Sequence, residues 1–191
     1  LDGRKFCFGG ICNKYYNQLQ RIHIDQAPLD LVEKRQQALD PGRIAAAEDG
    51  AKSVAVSGSF LSQLLLPLFR RFFEELGFRV ILSERIDPEG LRRACASFCY
   101  PAQISHGMMA DLIGRRPDYV FLPRNHELLV EGLADPKPGH QCPCIMVQAE
   151  SSYLRSAFPE LQAEILSPAL NWSAGWSRGK PAVVELADQL G

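Results

Sequence analysis

Short apolar runs alternate with amphipathic stretches from residue 53 onward. SVAVSG, which begins at Ser53, is a β-branched run that ends in glycine, as is typical of a buried strand. FRVILS, DYVFLP and CIMVQ are further short apolar runs with the same character. The pattern therefore predicts strands near residues 53–57, 78–82, 118–122 and 144–148.

The stretches between these runs have helical spacing. SFLSQLLLPLFRRFFEELGF repeats its apolar residues at helical intervals and reaches a typical helix stop at Gly77, while Pro67 predicts a bend. DPEGLRRAC, PAQISHGMMADLIGRR, SSYLRSAF and PAVVELADQLG also favour helices. Strands that alternate with helices indicate parallel pairing, so we expect an α/β fold with a parallel sheet and flanking helices.

Two other regions lack this alternation. Residues 1–50 form an irregular N-terminal segment with one expected helix near PLDLVEKRQQAL and a turn at DPGR, and residues 51–191 form the α/β domain. The stretch from Glu127 to Gln141 is polar and rich in proline and glycine, which predicts a long loop.

Composition narrows the class of protein. The chain has 191 residues, 46% hydrophobic and 23% charged, with a formal net charge of −1. This is an ordinary globular composition without a basic block, so we expect no nucleic-acid partner, and no apolar run is long enough for a membrane span. The chain begins at Leu1 without a signal-peptide pattern, and we interpret it as a piece of a longer protein of the cytoplasm. In that reducing compartment its six cysteines favour metal or redox chemistry over disulfides.

The turns that follow the strands are the expected place for a site, because ligands of parallel sheets bind beyond the carboxyl ends of the strands. These turns are SGS at residues 57–59, the turn after Ser83, PRN at residues 123–125 and QAESS at residues 148–152. Ser57, Gly58 and Ser59 would offer backbone N–H groups to an anion at a helix start, open to solvent. The segment lacks the Walker and GxGxxG patterns, so the signal is weak.

Cys99 stands at the entry of a predicted helix, with Pro101 in the first turn. A helix N-terminus favours the thiolate, which is the form that binds metal. Buried cysteines are also common as small apolar residues, and for Cys99 the two interpretations are balanced. His106, further along the same helix, would contact the site as a hydrogen-bond donor or lie on the surface.

Four other cysteines occur in pairs. Cys142 and Cys144 flank a proline after the polar loop, and they would share one side if a strand has begun there. Cys7 and Cys12 bracket FGGI, a loop that would curl both sulfurs toward one metal or leave two unrelated thiols. Neither pair has the spacing of a zinc ribbon or a ferredoxin. Cys95, within RRACASF, favours a buried apolar role.

Several segments occur in an order that resembles a known family. They are LFRRFFEELGFRVILS, ASFCYPAQISHGMMADLI, PDYVFLPR and CPCIMVQ, followed by SSYLRSAF and ILSPALNW. Together they resemble the uncharacterised domain of large proteins described as CoA-substrate-specific enzyme activases or acyl-CoA dehydratase activase-related proteins. That domain is in turn similar to subunits of 2-hydroxyacyl-CoA dehydratases. The resemblance extends from about residue 53 to residue 172.

The resemblance implies a Rossmann-like domain that holds a [4Fe-4S] cluster through cysteines at strand ends. Cys99 matches the cysteine of the family's FCYP pattern and Cys142 that of its CP pattern, so both would belong to one site, with sulfurs on the order of 6 to 7 Å apart. Cys144, Cys7 or Cys12 would supply the third ligand. Where relatives carry a pattern such as VGIPR, this chain has VAVSGSF and lacks the arginine.

The resemblance also implies partners. Activators of this class hydrolyse ATP and inject an electron into the cluster, and in the large fusion proteins the ATPase modules precede this domain. We therefore expect no ATP site in this chain, ATPase modules of the same longer chain as partners, and a dehydratase subunit as a further partner. The leading hypothesis is an iron–sulfur electron-transfer or scaffold domain that is not catalytic by itself. The alternatives are a non-catalytic interaction domain, dehydratase chemistry on a hydroxyacyl-CoA, and a structural zinc site at Cys7 and Cys12.

Overall fold

The computed structural model describes residues 25, 27–31, 34–35, 38, 50–94, 98–130, 132 and 139–191. By internal contacts the chain separates into two compact units, Leu1–Pro41 and Gly42–Gly191, whereas the sequence pattern placed the change near residue 50. In the first unit Ala27–Leu29 forms a 3-10 helix, and the described residues of the expected helix at PLDLVEKRQQAL are helical from Leu31 onward.

The second unit is built on a four-stranded parallel sheet in the order β2-β1-β3-β5. Its strands are β1 (Ser53–Val56), β2 (Arg79–Leu82), β3 (Tyr119–Phe121) and β5 (Glu164–Leu166). Every pairing in this sheet is parallel, so the α/β fold with a parallel sheet is confirmed. Three of the four predicted strands coincide with β1, β2 and β3.

Six helices accompany the strands in the described part of this unit. They are α1 (Phe60–Glu75), α2 (Pro88–Arg93), α3 (Tyr100–Gly114), α4 (Ile145–Gln148), α5 (Glu150–Ala157) and α6 (Trp176–Leu190). The α1 helix is continuous across Pro67. None of the described helices is long and apolar enough to cross a lipid bilayer.

Alternation along the strands gives the sheet two apolar faces. On one face Val54, Val56 and Phe121 pack with Phe69 and Phe73 of α1 and with residues of α6. On the other, a second cluster is formed by residues of the strands, α3, α5 and the segments that follow them: Ala55, Ile81, Met109, Leu112, Val120, Leu122, Leu154 and Phe158. The sheet is therefore buried on both sides, which explains why its strands read as continuous apolar runs.

A second, two-stranded parallel sheet extends the first one at its carboxyl edge. Its strands are β4 (Arg124–Leu128) and β6 (Ala169–Trp172), with an irregular register between Asn125 and Glu127. The β3 strand leads into β4 through Pro123, and β5 leads into β6 through Pro168, and proline cannot donate to a ladder. Pairing nevertheless continues across the break, because the Arg124 N–H donates to the Pro168 carbonyl at 2.9 Å.

Two sequence-based predictions about this region are wrong. CIMVQ is not the fourth strand of the sheet but the short α4 helix, and β5 takes the predicted place. A short apolar run does not distinguish a strand from a helix, and here the Cys144 sulfur accepts a hydrogen bond from the Met146 N–H at 3.4 Å, as a helix cap does. The expected loop from Glu127 to Gln141 also begins inside β4, whose polar sequence RNHEL concealed the strand.

Candidate functional site

The carboxyl ends of β1 and β3 form the place where the sheet's chain order reverses. The chain leaves β1 for β2 on one side and later returns to β3 on the other side of β1. In open parallel sheets this reversal opens the crevice in which ligands bind. The turn Ser57–Ser59 lies directly after β1 at this edge and leads into α1.

A buried chain of hydrogen bonds occupies this edge. The Ser57 and Ser59 hydroxyls are 2.6 Å apart, and Ser59 donates its hydrogen bond to Oε1 of Glu150 at the start of α5. Ser105 of α3 donates to the same Oε1 at 2.9 Å. The Tyr153 hydroxyl of α5 is 3.5 Å from the Ser105 hydroxyl. We call these five side chains the serine–glutamate network.

Glu150 is the central member of the network, since two hydroxyls point at one of its carboxyl oxygens. Only 3% of the residue is exposed. Burial raises the pKa of the Glu150 carboxyl above its ordinary value, and the hydrogen bonds from Ser59 and Ser105 offset only part of that rise.

The backbone at the network's entry is strained. Ser59 takes the N-cap position of α1, but its side chain makes no capping hydrogen bond, because its hydroxyl goes to Glu150. The next residue, Phe60, has a φ of 45°, in the left-handed region that side chains with a Cβ rarely adopt. Such strain is typical of functional turns, where the surrounding contacts hold an unfavourable conformation in place.

His106 and Tyr153 stack on each other beside the network. Their ring centroids are 5.1 Å apart and the planes differ by 10°. His106 is buried, and its Nδ1 donates a hydrogen bond of 2.7 Å to the Ala102 carbonyl, because a carbonyl oxygen can only accept. Burial, then the charge of Glu150, raises the pKa of the Tyr153 hydroxyl.

Two glycines allow α2 to approach α3 behind His106. A Cβ on Gly90 would lie 2.2 Å from the His106 carbonyl oxygen, and one on Gly107 would lie 2.4 Å from Ile86. The Gly107 carbonyl in turn accepts a hydrogen bond from the Asp87 N–H at 3.1 Å. The close crossing of α2 and α3 thus holds Ser105 and His106 in place.

The turn Ser57–Ser59 lies at a helix start as expected, but the expectation that it is open to solvent is wrong. Ser57 is 1% exposed and Ser59 is 3% exposed, and Gly58 is half-buried. The serine hydroxyls already face a carboxyl group of the chain itself. Binding of a free anion by this turn remains a prediction that the arrangement does not favour.

Two of the predicted cysteines lie at the starts of helices that contribute to the network or lead into it. Cys99 occupies the N-cap position of α3, the helix of Ser105, and Cys144 that of α4, the helix that precedes Glu150. Cys142 is exposed, and its thiol donates to the Gly139 carbonyl at 3.2 Å. The expected closeness of the Cys142 and Cys99 sulfurs remains a prediction.

The described cysteines have the right chemistry for iron–sulfur ligands, but they are not grouped in sufficient number to hold a cluster. Cys99, Cys142 and Cys144 are free thiols, the ligands that iron–sulfur clusters require. Among the described residues, however, no group of three or more His, Cys, Asp or Glu side chains is arranged to hold a metal ion. Cys7 and Cys12 lie outside the described residues. The residues described here therefore do not complete a cluster site by themselves.

Sequence reasoning missed Ser105, Glu150 and Tyr153 as members of the site. The only signal was QAESS, which the rule of strand ends selected as a site turn because CIMVQ was interpreted as a strand. Glu150 does lie in that segment, at the first residue of α5 rather than after a strand. The other two residues gave no local signal, because their role depends on contacts with residues far away in the sequence.

Comparison with known proteins identifies the family. Residues 54–191 match the family model described as CoA enzyme activase uncharacterised domain (DUF2229). No curated protein and no solved structure matches the chain. The match covers the six helices described above, the serine–glutamate network and all strand residues except Ser53, the first residue of β1. The chain belongs to the CoA enzyme activase family through this domain.

Proposed function

We propose that this chain is an iron–sulfur electron-transfer or scaffold domain of an activase-type protein in the cytoplasm. The observation that carries the proposal is that Cys99 caps α3, the helix that supplies Ser105, and Cys144 caps α4, the helix that directly precedes Glu150. Within a family that serves CoA enzymes, thiols gathered at the carboxyl edge of a parallel sheet support a redox centre better than they support unrelated packing.

In this proposal Cys99, Cys142 and Cys144 supply thiolate ligands, and a cysteine outside the described residues or in another module completes the set. A bound cluster would supply one-electron transfer. The chain's own residues would set the surroundings of that centre. Burial raises the pKa of the Glu150 carboxyl, which disfavours a negative charge there, and it raises the pKa of the Tyr153 hydroxyl, which favours the neutral hydrogen-bond donor.

The partners follow from the same proposal. ATPase modules of the same longer chain would drive the electron into this domain, and a dehydratase subunit would receive it. Exposed apolar side chains lie beside both cysteines in the sequence and would form part of the docking surface. They are Phe98, which is 86% exposed, Tyr100, and Ile145, which is 70% exposed.

Anaerobic reconstitution of the full chain with ferrous iron and sulfide tests the proposal. We expect stable iron and sulfide binding with the absorption of a thiolate-held cluster. Cys99→Ser and Cys144→Ser should each abolish most of the iron retention and leave the far-ultraviolet circular dichroism unchanged. Cys95→Ser is the matched control, because the sequence assigns that thiol to an apolar role. Iron retention that both site variants leave intact, or no iron at all, would contradict the proposal.

The second candidate is a non-catalytic interaction domain, which the exposed apolar residues Phe98, Tyr100 and Ile145 favour on their own. It requires the same docking to the ATPase modules without any metal. The two candidates differ in metal analysis: docking with neither iron nor zinc bound supports the interaction domain. Zinc that depends on Cys7 and Cys12 supports the structural zinc site instead.

A further inference from the structure

A surface cavity lies at the carboxyl end of β5, on the side of α5 away from Glu150. Its volume is about 610 Å³, which is within the range of small-ligand pockets. The residues that line it are two arginines, four serines and one isoleucine: Arg124, Ser151, Ser152, Arg155, Ser156, Ile165 and Ser167. The described lining contains no carboxylate, so the cavity is positively charged.

The two arginines have no ion-pair partner among the described residues. Neither Arg124 nor Arg155 forms an ion pair with a carboxylate in the part of the chain that the structure describes. By contrast, Arg70, Arg71, Arg85, Arg92, Arg93 and Arg115 each pair with one. The Nε of Arg124 donates a long hydrogen bond of 3.4 Å to the Ser167 carbonyl, which leaves its terminal nitrogens for a ligand.

Ser167 provides an independent indication of a ligand site. Its Oγ is shielded from solvent and is the single buried side-chain polar atom without a hydrogen-bond partner among the described residues. A buried hydroxyl without a partner is costly and rare in folded proteins. Ser167 lines the same cavity as the two arginines, so its hydroxyl is a candidate donor to an anion bound there.

We propose that this cavity binds the phosphate group of a phosphorylated ligand, with Arg124 and Arg155 as charge partners and Ser167 as a hydroxyl donor. Two guanidinium groups match the double charge of a phosphate, and planar forks of N–H donors suit its oxygens. The volume also admits a nucleotide-sized molecule around that phosphate. The inference does not depend on the presence of iron.

Isothermal titration of the full chain tests this site with three probes: inorganic phosphate, ADP and coenzyme A, the compound in the family's description. We expect saturable one-to-one binding of at least one probe. Preference for coenzyme A over ADP would assign the site to the CoA part of the substrate, and equal binding of inorganic phosphate would assign it to the free ion. Binding of none of the three would overturn the proposal.

Variants locate the binding. Arg124→Gln and Arg155→Gln should each weaken it about 10- to 100-fold, as expected for loss of a charged hydrogen bond. Arg71→Gln removes the same charge from an exposed position on α1 that pairs with Glu75, and it should leave the affinity unchanged. An equal loss in all three variants would show nonspecific attraction, and unchanged affinity in both cavity variants would place the ligand elsewhere; either result overturns the assignment.

Ser167→Ala separates a binding role from a structural one. Because the variant removes an unpaired buried hydroxyl, the melting temperature of the free protein should stay the same or rise, while the affinity for the phosphate probe falls. A lower melting temperature of the free variant would mean that the hydroxyl is already paired, and the argument from Ser167 would fail.

Discussion

Near each end of β1 a serine hydroxyl donates to a carboxyl group, but the pKa values of the two carboxyl groups shift in opposite directions. At the amino end, the Ser53 N–H and hydroxyl both donate to Oδ2 of Asp118 at 2.7 Å. At the carboxyl end, the Ser59 hydroxyl donates to Oε1 of Glu150. The Ser53 N–H, then its hydroxyl, lower the pKa of exposed Asp118, whereas burial raises the pKa of Glu150.

The comparison shows that surroundings, rather than the hydrogen-bonding serine, decide whether the carboxyl group is charged. Asp118 keeps solvent and gains a backbone donor, so it is an ordinary structural carboxylate. Glu150 has lost solvent and gains hydroxyl donors that do not offset that loss. At the carboxyl end of β1 burial therefore favours the neutral form of the Glu150 carboxyl, one helical turn before Tyr153 of the network on α5. Perturbed acids in such positions are typical of functional sites.

The largest expected effect on stability comes from a substitution that displaces α3, the helix whose Ser105 donates a hydrogen bond to Glu150. In Gly90→Ala the new Cβ would lie 2.2 Å from the His106 carbonyl oxygen, a backbone atom that cannot swing away. We expect a loss of about 3 kcal/mol in the free energy of unfolding, at the upper end for overpacking. Denaturant titration followed by circular dichroism measures it.

Gly114→Ala is the control for that change, because it adds the same methyl group to α3 with nothing within 4 Å. We expect it to be neutral or to stabilise the helix by about 0.5–1 kcal/mol. If Gly90→Ala is as mild as this control, the close crossing of α2 and α3 does not hold the network in place.

The sequence predicts the apolar framework of this fold much better than its site. The β1, β2 and β3 strands are recognisable because burial on both faces demands continuous apolar runs. CIMVQ has the same appearance, yet a cap at Cys144 starts a helix there, and polar RNHEL forms a strand through its pairing with β6. Glu150 could not be recognised as a buried acid, because its state depends on Ser59 and Ser105 in other elements. Cys99 was recognisable because a helix start is a local feature.

The pH dependence of stability tests the two ends of β1 against each other. The folded pKa of Glu150 lies above its unfolded value, taken as 4.5, so wild-type stability falls as the pH rises above that value and only the unfolded state ionises. Each pH unit in that window removes about 1.4 kcal/mol. Glu150→Gln keeps an oxygen for both hydroxyls and cannot ionise, so its advantage over the wild type should grow with pH.

Asp118→Asn is the matched variant with the opposite sign. The folded pKa of Asp118 lies below its unfolded value, taken as 3.8, so wild-type stability is lost as the pH falls through this range. The asparagine variant should flatten the acid side of the stability profile and leave the slope above pH 4.5 unchanged. If the free energy of unfolding of Glu150→Gln falls above pH 4.5 as steeply as that of the wild type, Glu150 does not have a raised pKa in the folded protein.

The smallest expected effect on stability comes from removing the Tyr153 hydroxyl, the outermost member of the serine–glutamate network. Tyr153→Phe removes a hydroxyl that lies 3.5 Å from the Ser105 hydroxyl, at the limit of a hydrogen bond, and it keeps the ring that stacks on His106. We expect a loss of only about 0.5 kcal/mol, measured by denaturant titration at pH 5 and pH 8. The difference between the two pH values should match the wild type, because Ser59 and Ser105 still face Glu150. A change in this difference would show instead that the Tyr153 hydroxyl influences the ionisation of Glu150.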